Sequence, residues 1–140
     1  MSKIFGALKV QLREDTLSGL RVSPVQSDHD GEYPIVSALI ADKYSAWMGI
    51  TAESGRAGDI VSVFPPYSGL VMVRVNCVQA DCRTGWWANT DSDGYFTCNH
   101  GTGQIATGVI VTPELNEEAA TGKVVKAMVF TGRFVFDQKE

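Results

Sequence analysis

The residues with the clearest chemical spacing are three oxygen-bearing side chains, Asn89, Asp91 and Asp93. They stand at the first, third and fifth positions of a calcium-loop pattern, and Gly94 follows at the sixth. Such a loop needs a bidentate Glu at its twelfth position, where this chain has His100. We therefore predict a hairpin turn in which Gly94 supplies the positive φ, and calcium binding is the alternative.

A second candidate metal set consists of Cys77, Cys82, Cys98 and His100, four residues of the types that bind zinc. Structural zinc sites usually place two to four residues between paired ligands, and this set has four residues in its first pair and one in its second. Three cysteines are also an odd number and too few for a disulfide framework. We predict reduced, buried thiols and no bound metal or other cofactor.

Catalytic groups are sparse. His29 and His100 are the only histidines, and neither adjoins a recognisable nucleophile motif. The segment 54–58 has two glycines and Arg56 but lacks the Lys-Ser or Lys-Thr of a phosphate-binding loop. A small β-barrel hydrolase that sets a histidine beside Asp59 is a further alternative, but we expect a protein that is not an enzyme.

Composition narrows the classes of protein further. The chain has 140 residues, of which 44% are hydrophobic and 20% charged, with a net charge of -4 and a pI of about 5.1. This size suits one domain. No cluster of Lys and Arg is present to bind nucleic acid, and no apolar run is long enough to cross a membrane. No signal-peptide pattern begins the chain, so we expect a soluble protein made in the cytosol.

The elements that must position these residues are short strands. From Gly49 to Phe136, glycine turns recur about every eight to twelve residues, with runs rich in Val, Ile and aromatic residues between them. This pattern predicts an all-β fold, a small β-barrel or β-sandwich with Gly-rich turns. The predicted strands are 47–52, 60–64, 70–75, 86–88, 95–98, 105–112, 124–130 and 134–136. The run 35–41 is a strand or a short helix, and only 114–120 is predicted as a later helical turn.

For two of the strands, the sequence predicts which side chains point into the core and which point outward. Leu70, Met72 and Arg74 alternate with three valines, so one face of that strand should be fully apolar. Trp86 and Trp87 should point to opposite faces, one into the core and the other outward or into a subunit contact.

The N-terminal region differs in composition from the rest. Leu8, Val10 and Leu12 alternate with polar residues as in a strand with one wet face, and a polar, turn-prone stretch follows. We divide the chain into an extended N-terminal arm, residues 1–33, and a β domain, residues 34–140. The arm's strand either adds to the sheet of a partner protein or joins the sheet of its own domain.

Six segments occur in an order that resembles the capsid decoration, or cement, proteins of tailed double-stranded DNA phages. The resemblance extends over about residues 46 to 130, and the arm and the segment 114–122 lie outside the pattern of the shortest members. The segments are Trp47-Met48-Gly49-Ile50-Thr51-Ala52, Gly58-Asp59-Ile60-Val61-Ser62-Val63, Thr84-Gly85-Trp86-Trp87-Ala88-Asn89, Gly94-Tyr95-Phe96, Ile105-Ala106-Thr107-Gly108-Val109-Ile110-Val111 and the strand 124–130.

This resemblance implies a structural protein, made in the host cytoplasm and then located on the outer capsid surface of the virion. It implies a homotrimer that binds the major capsid protein and stabilises the expanded shell against genome pressure, with no nucleic acid or membrane partner. Leu8, Val10 and Leu12 are then candidate capsid-binding residues. The alternative function is a metal-binding β domain, with calcium or zinc, in a tail-associated or adhesion component.

Overall fold

The structure is a computed structural model that describes residues 8–25, 33–39, 48–66, 68–76, 82–98, 105–113 and 124–135. All regular secondary structure in these ranges is β-strand, which confirms the predicted all-β fold. The helical turn predicted over 114–120 lies outside the described residues. The ten strands are β1 Leu8–Leu12, β2 Arg21–Pro24, β3 Ile35–Ser37, β4 Gly49–Thr51, β5 Ile60–Phe64, β6 Gly69–Asn76, β7 Trp87–Thr90, β8 Phe96–Thr97, β9 Ile105–Pro113 and β10 Val124–Val135.

The strands form two closed barrels that follow each other along the chain. The first barrel has the ring order β1-β3-β2-β4-β5, and the second has the ring order β6-β8-β7-β9-β10. In both rings the first and third strands in chain order pair in parallel, and every other pair is antiparallel. The second barrel therefore repeats the topology of the first.

The repetition extends to the register of individual residues. β2 and β4 pair through Arg21 with Ile50, whereas the equivalent strands β7 and β9 pair through Trp87 with Val109. The remaining ladders give the same correspondence, and some of the matched residues are identical while others differ in size or chemistry. Matched positions are Val10 and Val73, Leu12 and Val75, Val22 and Ala88, Val36 and Phe96, Gly49 and Gly108, Val63 and Val129, and Phe64 and Phe130.

Each barrel has its own apolar interior, supplied mainly by β-branched side chains that suit strands. In the first barrel, the buried side chains include Val10, Leu12, Val22, Val36, Val61 and Val63. In the second barrel, they include Val71, Val73, Val75, Phe96, Ala127 and Val129. The three valines of β6 are buried and Leu70 and Met72 are exposed, as the alternation predicts.

Both barrels use a glycine where two strands approach most closely. A Cβ added at Gly49 would collide with the main-chain oxygen of Phe64, and one added at Gly108 would collide with the side chain of Val129. The Cβ added at Gly108 would also lie 3.2 Å from the main-chain oxygen of Phe130, the residue matched with Phe64, so similar local geometry recurs in the two barrels. The two glycines are required for strand pairing rather than for a turn.

The strand assigned to the N-terminal arm lies within the first barrel. β1 pairs with β5 on one side and with β3 on the other, and Val10 and Leu12 are fully buried in the barrel interior. This arrangement corresponds to the alternative in which the strand joins its own sheet. The boundary between residues 33 and 34 falls inside the first barrel, because β2 and β3 pair directly with each other.

Candidate interaction site

The junction between the barrels is organised by one buried cation, Arg21 on β2, which is 4% exposed. Its guanidinium donates to the Ala38 carbonyl oxygen at 3.3 Å, to the Thr90 hydroxyl at 3.4 Å and to the Asp91 carbonyl oxygen. Burial lowers the pKa of Arg21, and the nearby Asp91 carboxylate opposes that shift. Arg21 thus connects its own barrel to the β7–β8 hairpin of the other. The sequence analysis did not identify Arg21, because a single arginine in a polar stretch belongs to no recognisable pattern.

The β7–β8 turn is the segment that resembles a calcium loop. One Asp91 carboxylate oxygen accepts the N–H groups of Asp93 at 2.9 Å and Tyr95 at 3.0 Å. Gly94 has a φ of 88°, which confirms the predicted positive φ, and an added Cβ there would lie 2.6 Å from the Arg21 carbonyl oxygen. The turn therefore packs closely against β2 of the first barrel, and the absence of a side chain at Gly94 allows this contact.

Two of the three side chains proposed as calcium ligands, Asn89 and Asp91, hold main-chain groups of this hairpin instead. Asn89 accepts the N–H of Thr90 at 2.9 Å, and Asp91 holds the two N–H groups that follow it. Burial raises the pKa of Asp91, and the hydrogen bonds from the turn partly oppose the shift. Within the described ranges, no three His, Cys, Asp or Glu residues come together in a way that could hold a metal ion. The geometry therefore does not favour the calcium interpretation at Asn89, Asp91 and Asp93.

The described cysteines belong to the apolar interior. Cys82 is 1% exposed in the core of the second barrel, Cys98 packs against the same cluster, and neither is in a disulfide bond. Cys77 and His100, the other members of the zinc set, lie outside the described residues. The two described cysteines act as small hydrophobic side chains.

The carboxylates near the 54–59 loop also hold main-chain groups. Asp59 accepts the Arg56 N–H at 2.9 Å, and Asp15 accepts the Ala57 N–H at 2.9 Å. His29 and His100, the two candidate general bases, lie outside the described residues. Asp59 therefore shapes a loop, and the described part of the chain does not bring it to a general base.

A second set of contacts draws β6 against the turn before β2. The Arg74 main-chain N–H donates to the Gly19 carbonyl oxygen at 3.0 Å, and the Arg74 side chain donates to the Ser18 carbonyl oxygen at 2.7 Å. Between the barrels lies a cavity of about 140 Å³ whose lining includes Phe64 and Met72. Among the described residues, polar contacts thus join the barrels at the β7–β8 turn and at β6.

An apolar contact completes the junction. Ile50 on β4 is fully buried, and it belongs to the same cluster as Val71 and Val73 of the second barrel. Phe64 packs against that cluster as well. The outward face of β2, β4 and β5 is therefore covered by the second barrel.

The second barrel carries an exposed apolar surface of its own. Leu70 is 54% exposed, Phe130 49% and Trp87 38%, and Val109 between them is half-buried. These four residues pair in sequence across β6, β10, β9 and β7, so they form one continuous row, the outer row. Contiguous exposed apolar surfaces of this kind mark interaction sites.

The prediction for the two tryptophans is wrong in one respect. Trp86 and Trp87 are both exposed, at 46% and 38%, and neither fills the core. β7 begins at Trp87, so Trp86 lies before the strand and does not follow its alternation. The core position of β7 is taken by Ala88.

In the described ranges we find no helix that could cross a membrane. Neither the family models nor the curated proteins include a match to the sequence. Among solved structures, the chain is similar to the N base of the head fiber gp8.5 of bacteriophage phi29. The TM-score is 0.58 and the identity 15%, and the match covers 91% of this chain and 96% of that chain. The similarity is one of fold, and at 91% coverage it extends across both barrels.

Proposed function

We propose that this protein is a structural component of a tailed-phage head. It binds the outer surface of the capsid as a decoration, or cement, protein and stabilises the expanded shell against the pressure of the packaged genome. The observation that carries this proposal is the two-barrel fold shared, over almost the whole of both chains, with the base of a phage head fiber. The order of segments between about residues 46 and 130 supports the same function.

The proposed partner is the major capsid protein, and the proposed assembly is a homotrimer at local three-fold positions. A small oligomer that contacts several capsid subunits binds with an avidity above that of any single contact. A protein that binds only the expanded shell also stabilises that state by mass action. The function requires no catalytic group, cofactor, nucleic acid or membrane.

Two features of the fold suit this function. Arg21, Ile50 and Arg74 hold the barrels together with polar and apolar contacts, which suits a part that must transmit force without deforming. The Asp91 carboxylate of the candidate calcium loop is engaged in a structural turn. That turn gives no support to the metal-binding alternative for a tail-associated or adhesion component.

Co-sedimentation with phage shells tests the proposal. The purified protein is mixed with mature expanded shells and, separately, with empty precursor shells, and the bound fraction is measured. We expect saturable binding to expanded shells and a higher unfolding temperature for the decorated shells. Equal, unsaturable binding to both shell forms would contradict the proposal. Elemental analysis of the same preparation checks the alternative, which requires about one tightly held metal per chain.

A further inference from the structure

The two barrels share strand order and register but differ in what covers one particular face. In the first barrel, Phe64, Ile50 and Arg21 form a row across β5, β4 and β2. In the second barrel, Phe130, Val109 and Trp87 occupy the matched positions across β10, β9 and β7. The first row lies against a β-barrel, and the second is open on the surface.

The residue types in the two rows are not what their exposure alone would predict, because the exposed row is the more apolar of the two. Within the covered row, Ile50 is fully buried and Arg21 is 4% exposed, since each has contacts from the second barrel. The outer row has no charged residue, and its aromatic residues are nevertheless 49% and 38% exposed. An exposed row richer in apolar area than its covered counterpart is typical of a protein interface.

The exposed area continues beyond the outer row toward the junction. Met72, which is 40% exposed, follows Leu70 on the same face of β6 and pairs with Met128 of β10. Met72 also lines the cavity between the barrels, together with Phe64 of the first barrel. The outer row is thus continuous with a surface on which this chain already packs one barrel against another.

We propose that the outer row, Leu70, Phe130, Val109 and Trp87, is the surface through which one copy of this chain binds a barrel of a second copy. In the described structure the matched face of the first barrel is covered by a barrel of the same chain, and this identifies the kind of partner. The inference rests on the trimer proposed above and identifies its contact surface. A trimer needs a contact between unlike surfaces of two copies, and such a contact closes into a ring when the rotation between copies allows it.

Sedimentation equilibrium of two matched double variants tests the inference. Leu70→Glu with Phe130→Glu adds two carboxylates to the outer row, and Leu17→Glu with Leu39→Glu adds two at exposed leucines of the first barrel. Because an interface cannot bury unpaired carboxylates without a large cost, the outer-row variant should weaken self-association by about a hundredfold or more. The control variant should stay within about twofold of the wild type.

A less disruptive variant keeps the test interpretable if the double glutamate variant does not fold. Phe130→Thr removes the aromatic ring but keeps a residue that favours strands, and it should weaken self-association about tenfold. Circular dichroism of each variant checks that the barrels persist. A wild-type protein that is monomeric at every concentration, or folded outer-row variants that assemble like the wild type, would overturn the inference.

Co-sedimentation of the same variants with expanded shells separates the inference from the proposed function. An outer-row variant that remains oligomeric but no longer binds shells would show that the row binds the capsid, and this would overturn the inference while leaving the function intact. Wild-type protein that assembles through the row but ignores shells would overturn the function alone.

Discussion

The two barrels have the same strand order and register, and their residues differ most in chemistry on the outward faces. Their interiors hold buried apolar side chains at equivalent places, although some pairs differ in size, as Val36 and Phe96 do. At one matched outer position, the first barrel has Arg21, which binds across the junction, and the second has Trp87, which faces outward. The residue types inside a barrel are thus determined by the need to fill its closed interior. The residue types on its outer face are determined by what that face contacts.

The largest expected effect concerns Ile50 and its match, Val109. Ile50→Ala should destabilise the protein by about 2 to 5 kcal/mol, because it opens a cavity in a cluster that joins the barrels. Val109→Ala, on the half-buried outer row, should cost less than about 1 kcal/mol. Urea unfolding of both variants measures the difference. Equal losses would mean that the junction contributes no more than the open face.

The paired glycines provide the next comparison. Gly49→Ala should cost about 3 kcal/mol, because the new methyl group meets a main-chain oxygen that cannot move without separating β4 from β5. Gly108→Ala should cost about 1 kcal/mol, since it chiefly meets the Val129 side chain, which has other rotamers. Thermal unfolding of the two alanine variants gives the order, and the reverse order would show that the Phe64 main chain moves more easily than the Val129 side chain.

Arg21 tests the polar part of the junction. Arg21→Met keeps much of the aliphatic length but leaves the Ala38 and Asp91 carbonyl oxygens without their donor, at a cost of about 2 kcal/mol. Trp87→Met at the matched position should change stability by less than about 1 kcal/mol. Hydrogen exchange should also show faster opening of the β7–β8 hairpin in the Arg21 variant. An unchanged exchange rate there would contradict the role given to Arg21.

The smallest expected effect is the pH dependence from Asp91. Because burial raises its folded-state pKa above the ordinary value of 3.8, its contribution is most favourable below that value and is lost as the pH rises through the folded pKa. Asp91→Asn keeps an oxygen for the two turn N–H groups and removes the titration. The unfolding temperature of the variant relative to the wild type should therefore increase as the pH rises from acid values. A difference that is constant with pH would show that Asp91 does not titrate in this way.

Much of the strand content could be predicted from local patterns. β5, β6 and β9 lie where glycine turns and valine-rich runs place them, because a short run of β-branched residues has few other stable conformations. The predicted strands 124–130 and 134–136 are instead one strand, β10, which continues through Gly132 with a register irregularity between Thr131 and Phe134. The positive φ at Gly94 was also readable, because an Asp-Gly pair favours a tight turn. These features depend on residues close in the sequence.

β2 and β3 are the parts of the fold that sequence patterns described poorly. β2 has four residues, including a charged one and a proline, and its stability comes from pairing with β3 and β4. β3 has three residues, which are too few to show a period. Reading residues 1–33 as an arm followed from this weak local signal in strands that depend on distant partners.

The sequence by itself determined that this protein is built of short strands with glycine at their turns and close contacts. Only the tertiary structure decided that those strands close into two barrels of the same ring order. Matched residues such as Arg21 and Trp87 share no chemistry, and identical pairs such as Gly49 and Gly108 are scattered, so the repetition is recognised from the hydrogen-bond register. Whether an outward side chain is covered depends on how whole barrels pack, and no local pattern carries that information.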